Sequence, residues 1–121
     1  MWNIAGAAAE SKLTIDTIRF YERSKLLPKL PRDKRGWRQF DKSSLEWLVV
    51  LERLRATGMP LKDMRRFTTL VFAKDSDSPK SRAEKIEILR RHKQALSEQR
   101  QRIELCEDYL EYKIRIYTDK Q

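Results

Sequence analysis

The residues of this sequence best suited to act on another molecule are basic side chains crowded into one short stretch. Between Arg19 and Arg38 stand Arg19, Arg23, Lys25, Lys29, Arg32, Lys34, Arg35 and Arg38, opposed only by Glu22 and Asp33. Planar guanidinium forks pair with phosphate oxygens or with the acceptor edge of guanine, and a field of one sign draws polyanions toward itself. Phe20, Tyr21 and Trp37 are interleaved with these cations. Such a pattern is suited to nucleic acid. A solvated basic face is the alternative that charge alone leaves open. The formal net charge is +9, and it is unevenly spread: Lys and Arg outnumber Asp and Glu by 15 to 8 in residues 1–73, but only by 12 to 10 in residues 74–121.

Other chemistries lack their parts. His92 and Cys106 lie far apart on one predicted helix, and no paired carboxylates, phosphate loop or dinucleotide fingerprint accompany them. The chain is therefore not expected to be an enzyme or to carry a cofactor. Its single cysteine excludes an intrachain disulfide and a multi-cysteine metal site, so no metal is expected. No apolar run approaches the ~18 residues that span a bilayer, and no signal-peptide pattern opens the chain. The expectation is a cytoplasmic protein without membrane partners.

The elements that must position the basic stretch follow from spacing and punctuation. An alanine-rich first helix is predicted over Ile4–Glu10, then a break at Ser11–Leu13. Thr14 is placed to cap a second helix running to Ser24, with Asp16 in the first turn and Ile15, Ile18 and Tyr21 on one apolar face. Two short helices and a tight turn make a helix-turn-helix. Pro28 and Pro31 then enforce extended backbone, and Gly36 supplies a turn between Leu30–Arg32 and Trp37–Phe40, so a small β-hairpin is expected. Too small to be stable alone, it must anchor through Trp37, the favoured anchor, or Phe40. Asp41 or Ser43 caps a third helix that Thr57–Gly58 ends, and Pro60 opens a fourth that runs to Phe72.

Residues 74–78 form a polar linker between a head, 1–73, and a tail, 79–121. Ser78 and Pro79 start a helix predicted to reach Tyr117, nearly forty residues or ~57 Å at 1.5 Å per residue. Leu89, Leu96, Ile103, Leu110 and Tyr117 recur on it every seven residues, and His92 and Cys106 lie on the same seam. So small a body cannot bury this stripe, which predicts a coiled coil with a second copy of the chain. The fold class is mainly α: a winged helix-turn-helix with a hairpin wing, followed by a long coiled-coil helix.

Four segments carry a resemblance: Thr17–Ile18–Arg19–Phe20–Tyr21–Glu22, Leu26–Leu27–Pro28, Gly36–Trp37–Arg38, and Leu51–Glu52–Arg53–Leu54–Arg55–Ala56–Thr57–Gly58–Met59. In this order and spacing they resemble the MerR family of bacterial transcriptional regulators, over the whole chain. The resemblance implies an antiparallel coiled-coil homodimer that binds a pseudo-palindromic promoter operator. It also implies distortion of that DNA, which realigns the promoter for RNA polymerase. By the same resemblance Arg19 and Tyr21 contact bases and phosphates beside Thr14, Asp16, Thr17, Phe20 and Arg23. The wing contributes Arg32, Lys34, Arg35, Gly36, Trp37 and Arg38, and Met59–Lys62 belongs to a second wing. Lys12, Lys25 and Trp37 stand where the family commonly has Gly, Gly and Tyr. A lysine in a left-handed turn would cost about 1 kcal/mol.

The family's metal sensors use several cysteines and its aldehyde sensors one in the third helix, where Arg53 stands here. Cys106 is expected to pack on the seam, with electrophile or oxidant sensing as the lesser reading. Two other classes remain open at this point. One is an interaction protein whose coil pairs with a different chain, and the other is a DNA binder indifferent to sequence.

Overall fold

A computed structural model describes residues 1–120. They form α1 (Ile4–Ser11), α2 (Ile15–Arg23), α3 (Lys42–Ala56), α4 (Leu61–Phe72) and α5 (Pro79–Asp119). The first three are begun by side-chain caps. Asn3 accepts from the N–H of Gly6 at 2.8 Å, Thr14 from that of Thr17 at 3.0 Å and Asp41 from that of Ser44 at 2.8 Å. Each satisfies one of the donors that a helix start leaves open. Of the two candidate caps for α3, Asp41 serves and Ser43 donates to it.

Helices α2 and α3 end in the same way. After α2, the N–H of Leu26 reaches back to the Tyr21 carbonyl and that of Lys25 to the Glu22 carbonyl, at 2.9 and 3.1 Å. After α3, Met59 and Gly58 repeat the pattern on Leu54 and Arg55 at 3.0 Å each. This paired return needs a left-handed residue. Gly58 takes it at φ 86° without strain, whereas Lys25 takes it at φ 62° with a Cβ. Lys12, closing α1, also sits at φ 62°. The strain anticipated for a lysine in the first turn is therefore present, and present twice.

Helix α1 lies against α2 and α3, its small Ala7 and Ala8 allowing a close approach. The core is built from Ile18, Tyr21, Leu26, Phe40, Leu48, Leu51 and Met64, all essentially inaccessible to solvent. Trp47 stacks on Phe67 and meets Phe72 edge-on, at centroid distances of 6.0 and 5.1 Å. Its indole N–H donates to the Leu26 carbonyl at 2.7 Å, which ties α3 to the exit of α2.

The expected β-hairpin does not form as strands among the described residues. Isolated antiparallel bridges join Arg32 to Arg38 and Trp2 to Phe40 instead. Pro31 has no N–H to lend, and the two arms are too short to extend a ladder. The anchor also differs from expectation. Phe40 is buried and pinned by two backbone hydrogen bonds to Trp2, of 2.7 and 2.8 Å, while Trp37 is 49% exposed.

Residues 74–78 form consecutive turns, and Ser78 caps α5 through the N–H of Ser81 at 3.1 Å. The chain divides into two compact units, Met1–Lys85 and Ile86–Gln121. In the first, the start of α5 is tied by Arg66 to Glu84 at 2.6 Å and by Lys85 to the Ser76 carbonyl at 2.7 Å. In the second, Leu89, Ile103, Leu110 and Tyr117 are exposed along the helix, Cys106 is exposed, and His92 and Leu96 are half-buried. No helix among the described residues is long and apolar enough to cross a membrane.

Candidate nucleic-acid interface

Helix α2 is fixed from beneath and open above. Below, Ile18 and Tyr21 are buried, and the Tyr21 hydroxyl donates to Glu52 Oε2 at 2.9 Å. Burial first, and then the Glu52 carboxylate, pushes the Tyr21 phenol from 10.0 up to about 12. At the helix exit the Arg65 guanidinium donates to the Ser24 carbonyl at 3.0 Å. Above, Thr14, Asp16, Arg19 and Arg23 are exposed, and Thr17 is half-buried beside its Thr14 partner. Phe20 is half-buried, and the Arg55 guanidinium lies 4.7 Å over its ring.

Tyr21 was expected to touch DNA, and the structure places it differently. Its ring is in the core and its hydroxyl is committed to α3. The apolar spacing Ile15–Ile18–Tyr21 already pointed inward. Tyr21 holds α2 in place from below.

The loop after α2 is organised by Asp33, which sequence reasoning had placed in a polar turn and counted as an opposing charge, without seeing its hydrogen bonds. Its Oδ1 accepts from the N–H groups of Arg35 and Trp37 at 2.9 and 3.0 Å. Its Oδ2 accepts from the side chains of Arg35 and Gln39, both at 3.3 Å. The Trp37 N–H contributes most to holding this carboxyl below its ordinary range. An aspartate three residues before a turn glycine is the signal that could have revealed it. Gly36, at φ 81°, completes the turn, and its carbonyl accepts from the Arg32 guanidinium at 2.8 Å. Lys34 and Arg35 project at the tip, with Arg35 stacked 4.0 Å over the exposed Trp37 ring.

The loop and α2 meet at Arg38, whose Nε pairs with Glu22. Arg38 stands between two open clefts. One, of about 430 Å³, is lined by Arg19, Gly36, Trp37 and Arg38 together with Asn3, Ile4 and Ala5 of the chain start. The other, of about 410 Å³, is lined by Glu22, Arg23, Lys29, Arg32 and Arg38 with Pro28 and Leu30. No ion pair with Asp16 or Glu22 ties down Arg19 among the described residues. Lys62 is exposed in the first turn of α4, outside both clefts. Lys29 was counted in the basic stretch at the sequence level but given no contact role, and Asn3 was missed, since nothing marked it apart from other surface residues. Among the described residues no group of three or more His, Cys, Asp or Glu could hold a metal ion.

A capped, exposed helix across a tight turn from its predecessor, flanked by a cationic loop, defines a helix-turn-helix DNA-binding protein. The family profile described as MerR HTH family regulatory protein matches residues 3–69, and the one described as MerR, DNA binding matches residues 45–112. The chain belongs to the MerR family of transcriptional regulators. It is a DNA-binding regulator and not an enzyme.

An HTH-type transcriptional regulator of Haemophilus influenzae is 32% identical over 116 residues, covering 96% of this chain and 83% of that protein. Among solved structures, HiNmlR, a MerR family regulator lacking the sensor domain and bound to promoter DNA, is similar with a TM-score of 0.82. It shares 31% identity over 98% of this chain and 90% of its own. A Listeria monocytogenes chain assigned to the same family gives a TM-score of 0.85 at 26% identity, covering 97% of this chain and 86% of its own.

Proposed function

We propose that two copies of this chain pair antiparallel through α5 and read a pseudo-palindromic promoter operator, one α2 in each half-site. The pairing seam is Leu89, His92, Leu96, Ile103, Cys106, Leu110 and Tyr117. Large apolar side chains left open on a single helix support it, Ile103 and Leu110 at 54% and 53% exposure. Residues 1–73 act as the DNA-binding domain, 74–78 as linker and 79–121 as the dimerisation arm. In each head Arg19 reads base edges beside Thr14, Asp16, Thr17 and Phe20. Arg23, Arg32, Lys34, Arg35 and Arg38 hold phosphates, with Trp37 and the Gly36 turn as a wing and Lys62 as part of a second wing. The dimer bends its operator so that RNA polymerase engages the promoter, in the cytoplasm. The observation that carries this reading is the convergence of Arg19, Trp37 and Arg38 on one cleft beside the exposed face of α2. A seat for a phosphate chain there puts Arg19 over the adjoining groove.

The test starts from duplexes that the protein selects out of a random pool. Arg19→Ala should lower preference for the selected duplex by about 1–3 kcal/mol per half-site, the cost of one bidentate base contact. Light scattering should still show a dimer. Equal affinity of the unaltered protein for selected and random duplex would refute the reading, as would a monomer at working concentration.

A further inference from the structure

Glu22 is an odd neighbour for a DNA-binding groove. It lies on the recognition helix, lines the same cleft as Arg23, Lys29, Arg32 and Arg38, and carries a negative charge toward the side where a polyanion is proposed to lie. By charge alone, the carboxylate should repel DNA, and its removal should tighten binding. Its geometry points the other way. Glu22 engages the Nε of Arg38, the inner edge of the guanidinium. A guanidinium offers five donors in a rigid planar fork. Pairing with Glu22 restrains that fork against α2.

We propose that Glu22 is a positioning residue: by pairing with Arg38 it holds the guanidinium toward a DNA backbone phosphate seated between the two clefts that Arg38 lines. The inference rests on the DNA-binding reading above, which already gives Arg38 a phosphate, and adds to it the residue that aims this arginine. Arg38 belongs to a loop held by turn chemistry and bridges rather than by strands. A free arginine loses much rotamer entropy on binding, and a partner that orders it beforehand removes part of that cost. Lys29 and Arg23, which line the second cleft, supply cations for the neighbouring phosphate.

The two effects of Glu22 differ in sign, which makes the test sharp. Affinity for the selected duplex is measured by fluorescence anisotropy over a salt series for the full chain and for Glu22→Ala, Glu22→Gln, Arg38→Ala and the Glu22→Ala/Arg38→Ala pair. The expectation is that Glu22→Ala weakens binding on the order of three- to tenfold, the coupling typical of groups in direct contact. Glu22→Gln, which keeps an acceptor for Nε, should restore most of it. In the Arg38→Ala background, removing Glu22 should change nothing or should tighten binding. Circular dichroism melts distinguish loss of aim from loss of fold, since the single variants should melt alike. Tighter binding by Glu22→Ala, or an equal loss with and without Arg38, would overturn the proposal. Failure of the unaltered protein to prefer any duplex would overturn the functional reading and this inference with it.

Discussion

Tyr21→Phe separates the core role of this residue from a role on DNA. The change removes one hydroxyl that donates to Glu52 at 2.9 Å and leaves the buried ring in place. A hydrogen bond to a charged acceptor contributes about 1.5–3 kcal/mol. Glu52 is only half-buried and water replaces the lost donor, so the low end applies, about 1–2 kcal/mol at neutral pH. The pH dependence is more diagnostic. The folded phenol ionises at about 12 and the unfolded one at 10.0, because burial and the Glu52 carboxylate both disfavour the phenolate.

The folded state therefore keeps its proton where the unfolded chain releases it. Stability from this group is complete below pH 10.0 and is lost as pH rises toward about 12. Two units correspond to at most about 2.7 kcal/mol. Denaturant unfolding across that window should show the native protein losing stability faster than Tyr21→Phe, with the curves converging in strong alkali. Affinity for a selected duplex, measured on folded protein near neutrality, should be unchanged. Parallel stability curves would refute the buried hydrogen bond as the source of the shift. A large loss of DNA affinity without loss of stability would return Tyr21 to the DNA surface.

Phe40→Ala should destabilise the head by about 3–5 kcal/mol in chemical denaturation, as expected for a fully buried aromatic, whereas Trp37→Ala should cost under about 1 kcal/mol and register in DNA affinity instead. Lys25→Gly relieves a left-handed Cβ costing about 1–2 kcal/mol against about 0.5–1 kcal/mol of added unfolded-state freedom, so a small rise in melting temperature is expected, and a fall would show that the turn is not strained. The Asp41 carboxyl is held below its ordinary range, chiefly by the Ser44 N–H, so its contribution is present above the unfolded value of 3.8 and is lost as pH falls through the lower folded value. Asp41→Asn should flatten that acid limb in pH-dependent melts, and an unchanged limb would exclude Asp41 as its source.

Much of this architecture was legible because its signals are local. Thr14, Gly58 and Ser78 announced their helix ends by residue type alone, and the seven-residue recurrence from Leu89 to Tyr117 announced one long helix. The convergence of Arg19, Trp37 and Arg38 was legible as a charge cluster on a resemblance. What failed depended on distant partners. Trp2 pairs with Phe40 across the whole helix-turn-helix, so the loop's anchor moved from Trp37 to Phe40. Tyr21 answers to Glu52 on α3, and no spacing rule connects them. Strands were expected because Pro28 and Pro31 favour extended backbone and Gly36 supplies a turn between the two arms. Proline at the entry and a side-chain carboxylate at the centre, Asp33, produce a turn built on a different economy of hydrogen bonds.

The pairing of Trp2 with Phe40 has a practical corollary. It clamps the front of the polypeptide beside the cleft that Arg19 and Arg38 share, so any handle fused ahead of Met1 would hang over the surface proposed to read the groove. Purification tags belong at the other terminus. A small environment-sensitive dye attached at the amino end, by contrast, would sit close enough to a docked duplex to signal its arrival.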